Sequence, residues 1–563
     1  MKASKTFSLL FRKYPLFRTG SVIFAIVVIV AVISGITYKA KKCPEISSIT
    51  PAVGSSGDLM TITGINFGDL RNASDYVEVG GSRITASGYL QWTDSQIKLI
   101  LPSNVQDGLV IVSTKAGKSK PGFFANVAGI PVEVPPDTKT TMPVITSISP
   151  SSAATGQLFV LTGSNFGTGR NGAKVFFTAG WKNNSSSSLN EEISYIAASE
   201  ENYDYEYWSD SEIHVRIPDG AAGGQIYVET EKGTSNYAYF ELNTPAGTKE
   251  YSDKKTYLIH LTTDINDINS KKDTTLSLRI PRPLQTAQQP RVQLTECSPE
   301  PVFENYQNTL IQHVQLSKSS AKKLRFDQTF IVENYAVKTQ INARNVKPFS
   351  DKSRVLYTAF TKADELIKSD DERYVNLARS IVKKEVNPYN QAKLIYDYMI
   401  ENYSLEKKLR KTGSDPADLI ESKKGDAFDF AIVYTTLLRS LKIPALPVSG
   451  ILVDSELKSK SHWWTEFYIE NAGWIPADVV LGTGAEYKSF KAVSEPEAFY
   501  FGNIDSQHVI FSRGFSNLKP TLPDGRAVYL ERTFALQSVW EEFSGGTVNY
   551  SSLWNEPVIT GIY

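Results

Sequence analysis

The sequence predicts a multidomain chain in which an N-terminal membrane-spanning helix is followed by two all-β sandwiches, a further β region and an α+β domain. Three observations lead to this prediction: an uncharged apolar run near the N-terminus, an internal repeat of short alternating strands, and a change to helical periodicity near Asp371. The chain has 563 residues. At about 150 residues per domain, it should hold about three or four domains.

The apolar run SVIFAIVVIVAVISGITY, Ser21 to Tyr38, has no charged residue and approaches the roughly 20 residues that a helix needs to cross a bilayer. A cleaved signal peptide is the alternative, but the run is long for that purpose and no clear A-x-A site follows it. Because more basic residues precede the run than follow it, residues 1–20 should be cytoplasmic. We therefore expect an uncleaved anchor, with everything after Cys43 extracytoplasmic, in the periplasm or at the cell surface.

Composition limits the partners and cofactors. The 60 Lys and Arg residues balance the 60 Asp and Glu residues, so no overall field attracts nucleic acid, and we expect no nucleic-acid partner. One disulfide between Cys43 and Cys297 is arithmetically possible but not expected. We expect neither a metal site nor a cofactor, because the histidines are scattered, lack ligand spacing and should act singly: His214, His260, His313, His462 and His508.

An internal repeat follows the apolar run. PEISSITPAVGSSGDLMTITGINFG begins at Pro44 and PVITSISPSSAATGQLFVLTGSNFG begins at Pro143; later, WTDSQI from Trp92 matches WSDSEI from Trp208. The segments alternate apolar and polar residues between Gly, Asn and Pro, which indicates β-sandwiches. On these motifs, residues 44–128 and 143–243 resemble IPT/TIG domains, which are immunoglobulin-like modules. The resemblance implies spacers or binding platforms, and we expect a stalk that lifts the distal domain off the membrane.

The remaining chain divides by its periodicity. Segments such as TYLIHLTTDI keep strand-like alternation, so residues 249–370 should form a β-rich sandwich. DERYVNLARSIVKKEV and YNQAKLIYDYMIENY then show helical spacing, so residues 371–520 should form the α+β domain. Residues 521–563 are assigned to a C-terminal extension.

The segment KKGDAFDFAIVYTTLLRSLKIPA, from Lys423 to Ala445, predicts a buried helix that begins just after Gly425. Asp426 is its expected N-cap, so Ala427 lies in the first turn. Free N–H groups and the positive end of the helix dipole gather there, which favours a thiolate or an oxyanion. Downstream, SHWWTEFYIENAGWIPAD predicts a hairpin that brings His462 close to Asp478.

These stretches, with FYFGNIDSQHVIFSRG, resemble the transglutaminase-like fold of bacterial extracytoplasmic proteins, a papain-like architecture. The family's pattern has Cys in G-D-C-x-[DE]-[FY]-A, His in H-x-W-x-E and Asp in W-x-x-x-D. The resemblance assigns the histidine to His462, the aspartate to Asp478 and the nucleophile to Ala427. Alanine has no reacting atom, so the triad should be degenerate and no catalytic residue is assigned.

Other side chains are poor substitutes for the missing nucleophile. A carboxylate at a helix N-terminus, as in Asp426 or Asp429, is a stabilised ion and a weak nucleophile. Ser422 precedes the helix, Thr435 lies about two turns along it, and Cys297 belongs to the upstream β region.

The sequence therefore favours a membrane-anchored pseudoenzyme that binds a peptide, a protein or a cell-wall component, with the membrane contacted through the N-terminal helix. The candidate ligand-binding residues are Asp426, Trp463 and Trp464, because the helix N-terminus next to His462 offers donors without needing a thiol. Two alternatives stay open. One is an active acyl-transfer or amide-hydrolysing enzyme with an unrecognised nucleophile; the other is an envelope scaffold without a pocket.

Overall fold

The structure, a computed structural model, describes residues 43–72, 74–126, 142–181, 193–270, 273–316, 322–520, 522, 526–544 and 548–563, with isolated positions 15, 19, 20, 23, 27 and 28. The predicted anchor Ser21–Tyr38 therefore lies almost wholly outside the described residues. No helix among the described residues has the length and apolar character that a membrane crossing requires. The chain divides into two compact units, Met1–Ile130 with Thr521–Gly525, and Pro131–Pro520 with Arg526–Tyr563.

The first repeat is a two-sheet β-sandwich. One sheet has the strand order β1-β3-β7-β6 and the other β2-β10-β8-β4-β5, with β9 paired to β8. Alternating residues such as Met60, Ile62 and Val77 are buried between the sheets. The strands are β1 Glu45–Thr50, β2 Val53–Gly54, β3 Leu59–Ile65, β4 Tyr76–Val79, β5 Ser82–Arg83, β6 Tyr89–Trp92, β7 Gln96–Ile100, β8 Gly108–Thr114, β9 Gly117–Lys118 and β10 Gly122–Asn126, with a 3-10 turn at Ala86–Gly88.

The second repeat has the same topology. Its sheets have the orders β11-β13-β17-β16 and β12-β20-β18-β14-β15, with β19 paired to β18. The repeat in sequence is thus a repeat in strand connectivity, which confirms the predicted β-sandwiches. The strands are β11 Val144–Ser149, β12 Ser152–Ala153, β13 Leu158–Ser164, β14 Lys174–Ala179, β15 Tyr195–Ala197, β16 Tyr205–Trp208, β17 Glu212–Arg216, β18 Ala221–Thr230, β19 Gly233–Thr234 and β20 Ala238–Leu242.

Within each repeat, the W-x-D segment is hydrogen-bonded to the N-F-G segment. In the first repeat the indole N–H of Trp92 donates to the carbonyl of Phe67 at 2.9 Å, and Asp94 accepts from the N–H of Gly68 at 3.0 Å. The second repeat reproduces both hydrogen bonds through Trp208 and Asp210. The W-x-D segment therefore closes the turn formed by the N-F-G segment, where Asn66 has a positive φ of 62°.

A further β-sandwich begins directly after the two repeats. It is called the second sandwich below, to distinguish it from the IPT/TIG-like repeats. Two long strands, β21 and β26, pair antiparallel along most of their length and form the centre of one sheet. The opposite sheet contains β24, β25 and β22 in that order. The strands are β21 Gly247–Ser270, β22 Thr274–Pro281, β23 Arg291–Ser298, β24 Phe303–Tyr306, β25 Thr309–Leu316 and β26 Leu324–Ile341, followed by a 3-10 turn at Ala343–Asn345.

The α+β domain packs helices against the four-stranded antiparallel sheet β31-β30-β29-β33. Its helices are α1 Val355–Thr361, α2 Glu372–Val382, α3 Pro388–Asn402, α4 Asp418–Ser422, α5 Ala427–Ser440, α6 Val479–Gly482 and α7 Pro496–Phe499. Its strands are β27 Ser404–Leu405, β28 Lys424–Gly425, β29 Ala445–Val453, β30 Ser459–Ile469, β31 Gly473–Ala477, β32 Asn503–Ile504 and β33 His508–Arg513. The helical periodicity predicted from Asp371 is confirmed by α2 and α3.

The C-terminal residues return to the second β-sandwich. Strands β34 Arg526–Val528, β35 Glu541–Phe543, β36 Val548–Trp554 and β37 Val558–Ile562 complete it, because β35 pairs with β22 while β36 and β37 pair with β21. Trp540 is fully buried in its core. The segment that the sequence assigned to a C-terminal extension therefore supplies strands to a domain that begins almost 300 residues earlier, at Gly247.

Candidate functional site

Helix α5 begins as the sequence predicted. Asp426 is its N-cap, and its carboxylate accepts from the N–H of Asp429 at 3.0 Å. Asp429 in turn accepts from the N–H of Asp426 at 3.1 Å, which completes a capping box. Ala427 is thus the first helical residue, and the N–H groups of Ala427 and Phe428 precede the first intrahelical hydrogen bond.

At its N-terminal end, α5 reaches the surface at Ala427. Residues 428–439 of the helix are all buried, whereas Ala427 is partly exposed. Its methyl group packs at the edge of an apolar cluster that includes Phe428, Trp463 and Phe515. The first turn of the helix therefore borders solvent on one side and the aromatic core on the other.

The predicted pairing of His462 with Asp478 is confirmed. The imidazole Nε2 of His462 lies 2.6 Å from a carboxylate oxygen of Asp478, and both side chains are buried. The hairpin β30–β31 brings them together, since Thr465 pairs with Ala477. This pairing uses Nε2 of His462, so Nδ1 is the ring nitrogen that does not face Asp478.

Helix α5 lies along the strand that carries His462. The rings of Phe428 and Trp463 meet edge to face at 5.7 Å, and the hydroxyl groups of Thr435 and Thr465 lie 2.9 Å apart. Residues early in the helix therefore lie beside residues early in β30. This register brings Ala427 to the end of the strand that holds His462.

A second histidine, missed by sequence reasoning, shares the same carboxylate. Nε2 of His508 lies 3.1 Å from the Asp478 oxygen that His462 also contacts, and Nδ1 of His508 lies 2.7 Å from Asp505. The expectation that the histidines act singly is therefore wrong for His462 and His508. The sheet is the physical reason, because β29 pairs with both β30 and β33 and brings distant segments side by side. The stretch FYFGNIDSQHVIFSRG contained this signal as the pair Asp505 and His508.

Burial and pairing give the two imidazoles different charge states at neutral pH: His462 is neutral and His508 is protonated. Burial lowers the pKa of His462 below its usual 6.5, and the Asp478 carboxylate opposes this shift only in part. Burial also acts to lower the pKa of His508, but Asp505 and Asp478 outweigh it and raise the pKa to about 9. The two imidazoles together hold the pKa of Asp478 well below its usual range, against the effect of burial. His462 is therefore neutral and donates from Nε2, which leaves the lone pair of Nδ1 available.

His462, Asp478 and His508 also lie close enough together to be compared with a metal site. One donor atom from each of His462, Asp478 and His508 falls within 4.8 Å of the others. The 2.6 Å separation between Nε2 of His462 and the Asp478 oxygen is that of a charge-assisted hydrogen bond. The geometry fits a hydrogen-bonded cluster.

Two arginines surround the acidic start of α5. Arg532 Nη1 donates to Asp426 and to Asp429 at 3.0 Å each, and Arg410 Nη1 donates to Asp429 at 2.9 Å. The main-chain N–H of Arg410 also donates to Asp426 at 2.6 Å. Both oxygens of Asp426 are thus engaged inside the protein. Burial and the neighbouring Asp426 carboxylate raise the pKa of Asp429.

The proposed ligand-binding tryptophans are buried. Trp463 and Trp464 are 0% and 1% exposed, and Trp464 stacks on His462 with ring centroids 6.1 Å apart. Trp464 also meets the ring of His508 at 5.2 Å. Neither indole reaches the surface in this conformation, and Trp464 shields the two imidazoles from water.

The other possible nucleophiles are engaged elsewhere. Ser422 donates to the carbonyl groups of Asp418 and Lys424. Thr435 is buried and donates to the carbonyl of Ala431 at 2.8 Å. Cys297 lies on β23 of the second sandwich, where burial raises its pKa.

Comparison with known families agrees with this architecture. The profile of the transglutaminase-like superfamily matches residues 375–479, and that of the IPT/TIG domain matches residues 44–127 and 143–243. The chain therefore contains two IPT/TIG domains and a transglutaminase-like domain. Ala427, His462 and Asp478 all lie within the transglutaminase-like match.

Two relatives match parts of the chain. An uncharacterized protein of Haemophilus influenzae is 27% identical over 184 residues, which cover 28% of this chain and 48% of that protein. A cyclomaltodextrin glucanotransferase of Paenibacillus macerans is 36% identical over 72 residues, which cover 13% of this chain and 10% of the enzyme. The chain thus spans about half of the first relative and a tenth of the second.

Three solved structures show partial similarity. A candidate cysteine protease from Cytophaga hutchinsonii is 16% identical with a TM-score of 0.36, over 55% of this chain and 93% of its own. The periplasmic domain of TgpA from Pseudomonas aeruginosa is 12% identical with a TM-score of 0.23, over 40% and 86%. The surface glycan-binding protein PbSGBP-B from Prevotella bryantii is 10% identical with a TM-score of 0.20, over 53% and 99%. Similarity at this level carries no functional argument.

The charge state of His508 predicts how stability depends on pH. Its folded pKa of about 9 exceeds the unfolded value of 6.5, so its contribution to stability is complete below pH 6.5 and is lost as pH rises through about 9. The loss should be on the order of 3 kcal/mol over this window. Urea denaturation of the intact protein, followed by tryptophan fluorescence between pH 6 and 9.5, measures it.

His508→Gln should remove most of this pH dependence, because glutamine does not titrate. His214→Gln is the matched control, since His214 lies on the second IPT/TIG domain with 30% of its side chain exposed. A pH profile of His508→Gln that runs parallel to that of the unmodified protein would contradict the assigned charge state.

Proposed function

We propose that the protein is a membrane-anchored, extracytoplasmic pseudoenzyme whose transglutaminase-like domain binds a peptide, a protein or a cell-wall component without converting it. One observation carries the proposal. The first residue of α5 is Ala427, at the position that the family resemblance assigns to the nucleophilic cysteine, while the His462 and Asp478 pair is retained.

The chemistry of the site supports binding over turnover. A methyl group cannot attack a carbonyl carbon, so no covalent acyl intermediate forms at Ala427. The first-turn N–H groups at the partly exposed Ala427 still offer donors to an amide or a carboxylate. These are the parts of the site that recognition needs, and the sulfur is the part that only turnover needs.

The alternative is an active acyl-transfer or amide-hydrolysing enzyme with an unrecognised nucleophile. Incubation of the purified extracytoplasmic region with amide substrates and amine donors distinguishes the two. We expect neither ammonia release nor amine incorporation above the buffer rate, and no change with His462→Ala. Turnover that His462→Ala abolishes but His214→Ala leaves intact would overturn the pseudoenzyme proposal.

If the site is otherwise intact, the substitution Ala427→Cys should restore a reactive thiol. Ala427→Cys should fold, because adding a sulfur at a partly exposed first-turn position creates little overpacking. The helix N-terminus and His462 favour the thiolate, so the thiol should react with iodoacetamide about tenfold faster than free cysteine at pH 7. The rate is measured as the fraction of the thiol at position 427 that is alkylated over time, determined by mass spectrometry.

In the Ala427→Cys background, His462→Ala should slow alkylation, whereas His214→Ala should leave the rate unchanged. The native cysteines Cys43 and Cys297 are quantified as separate peptides in the same digest. A thiol at position 427 that is inert, or whose rate ignores His462, would mean that no functional cleft exists there.

The membrane topology is a proposal of its own, based on the uncharged run Ser21–Tyr38 and its flanking basic residues. Protease added to intact spheroplasts should degrade the chain beyond Cys43 and spare a short N-terminal fragment, detected with an N-terminal tag. A cytoplasmic protein of the same cell serves as the control for intactness. Protection of the whole chain would reverse the assignment.

A further inference from the structure

A cavity away from Ala427 lies where the second IPT/TIG domain meets the second sandwich and the transglutaminase-like domain. Its volume is about 330 Å³, which is within the range of small-ligand sites. Aromatic side chains from all three domains line it: Trp181 and Tyr195 from the IPT/TIG domain, Tyr251 from the sandwich, and Trp474 from the transglutaminase-like domain.

Hydrogen bonds between the domains fix the walls of this cavity. The indole N–H of Trp181 donates to the carbonyl of Ala287 at 2.8 Å. The side-chain oxygen of Asn202 accepts from both Trp474 and Arg513, each at 3.0 Å. Because these bonds tie side chains of one domain to the next, the cavity is preformed and a ligand would not have to order it.

One tyrosine hydroxyl belongs to the wall of the cavity. Tyr251 is 3% exposed and lines the cavity. Burial raises the pKa of Tyr251 well above its usual value, so the hydroxyl stays protonated and able to donate. A bound hydroxyl or carbonyl oxygen could accept a hydrogen bond from it.

The charges around the cavity cancel. Four basic and four acidic side chains line it. The innermost are already paired, with Arg513 at 2.8 Å from Glu466 and Lys249 at 2.7 Å from Asp219. A charged ligand would compete with these pairs, whereas a neutral ligand with hydroxyl groups can share their remaining lone pairs and N–H groups.

An aromatic surface continues from the cavity across the outer face of the second IPT/TIG domain. Tyr195 and Phe176 line the cavity, and their neighbours extend outward over β14, β15, β18 and β20. Phe176 stacks on Tyr227 at 4.8 Å, and Tyr195 stacks on a further tyrosine at 6.3 Å. We call this surface the tyrosine face; it consists of Phe176, Tyr195, Tyr227, Tyr237 and Tyr239.

The first repeat has no such surface at the same place in its sheet. Phe176 pairs with Tyr227 between β14 and β18, and the corresponding pair between β4 and β8 is Glu78 with Ile111. The fold is the same in both repeats, so the sandwich does not require aromatic residues there. The tyrosine face therefore serves something other than the stability of the repeat.

We propose that the cavity and the tyrosine face together form a binding site for a neutral linear oligosaccharide. Sugar rings present flat C–H faces that stack on aromatic rings, and their hydroxyl groups both donate and accept, as the paired charges and Tyr251 require. A peptide that pairs through its main chain fits less well, because Phe176, Tyr227 and Tyr239 lie on the face of the sheet, whereas Tyr195 lies on the end strand β15. This site is independent of Ala427 and of the pseudoenzyme proposal.

Isothermal titration calorimetry of the intact extracytoplasmic region tests the proposal with cellohexaose, maltohexaose and xylohexaose, and with a ten-residue polyproline peptide as the competing chemistry. We expect at least one hexasaccharide to bind with a stoichiometry of one. Tyr239→Ala removes an exposed ring and should weaken binding about tenfold. Tyr251→Phe removes only the hydroxyl and should weaken it about fivefold, with an unchanged melting temperature.

Phe123→Ala is the matched control, because Phe123 lies on the last strand of the first repeat as Tyr239 does on the last strand of the second. Its affinity should equal that of the unmodified protein. The proposal is wrong if no hexasaccharide binds, or if Phe123→Ala weakens binding as much as Tyr239→Ala does. Binding of the polyproline peptide alone would assign the face to a peptide instead.

Discussion

One buried carboxylate, that of Asp478, organises the transglutaminase-like domain. One of its oxygens caps α6 by accepting from the N–H of Leu481 at 2.9 Å, and the other accepts from His462 and His508. The start of α6 and residues 16 and 30 positions away in the sequence therefore meet at a single side chain that is wholly buried. Breaking such a network leaves an unpaired charge in the core, at a cost of about 3 to 5 kcal/mol. The His462 and Asp478 pair therefore stabilises the fold, whether or not it takes part in chemistry.

At the start of α5, the sequence-based prediction considered the helix dipole but not the charged side chains that the fold brings there. The helix dipole and the free N–H groups suggested a positive site, ready for a thiolate. In the structure two buried carboxylates, Asp426 and Asp429, already occupy that end of the helix, and Arg410 and Arg532 balance them. Arg410 precedes the helix in the sequence, and Arg532 follows it by nearly a hundred residues. The potential at Ala427 is therefore set by four charged side chains together with the dipole.

What the sequence could predict followed from short-range rules. The N-cap at Asp426, the hairpin around Asn471 and the repeated sandwiches each depend on residues close together in the chain, and each was confirmed. The contribution of His508 could not be found in this way, because its contact with Asp478 requires two strand pairings through β29. The return of β35 to the sandwich was missed for the same reason. The residues around Glu541 contain no local pattern that identifies Leu278 as its strand partner.

The two IPT/TIG domains share a fold but differ in what surrounds them. The second is joined to the transglutaminase-like domain by Lys249, which binds Asp219 with both carboxylate oxygens and also the carbonyl of Trp474. A rigid junction of this kind can keep a cavity open, which a freely hinged stalk could not. The second repeat also carries aromatic residues at Phe176 and Tyr227, where the first repeat carries Glu78 and Ile111. Duplication thus supplied a common scaffold, and the side chains on one sheet face, which the sandwich core leaves unconstrained, were free to take on recognition.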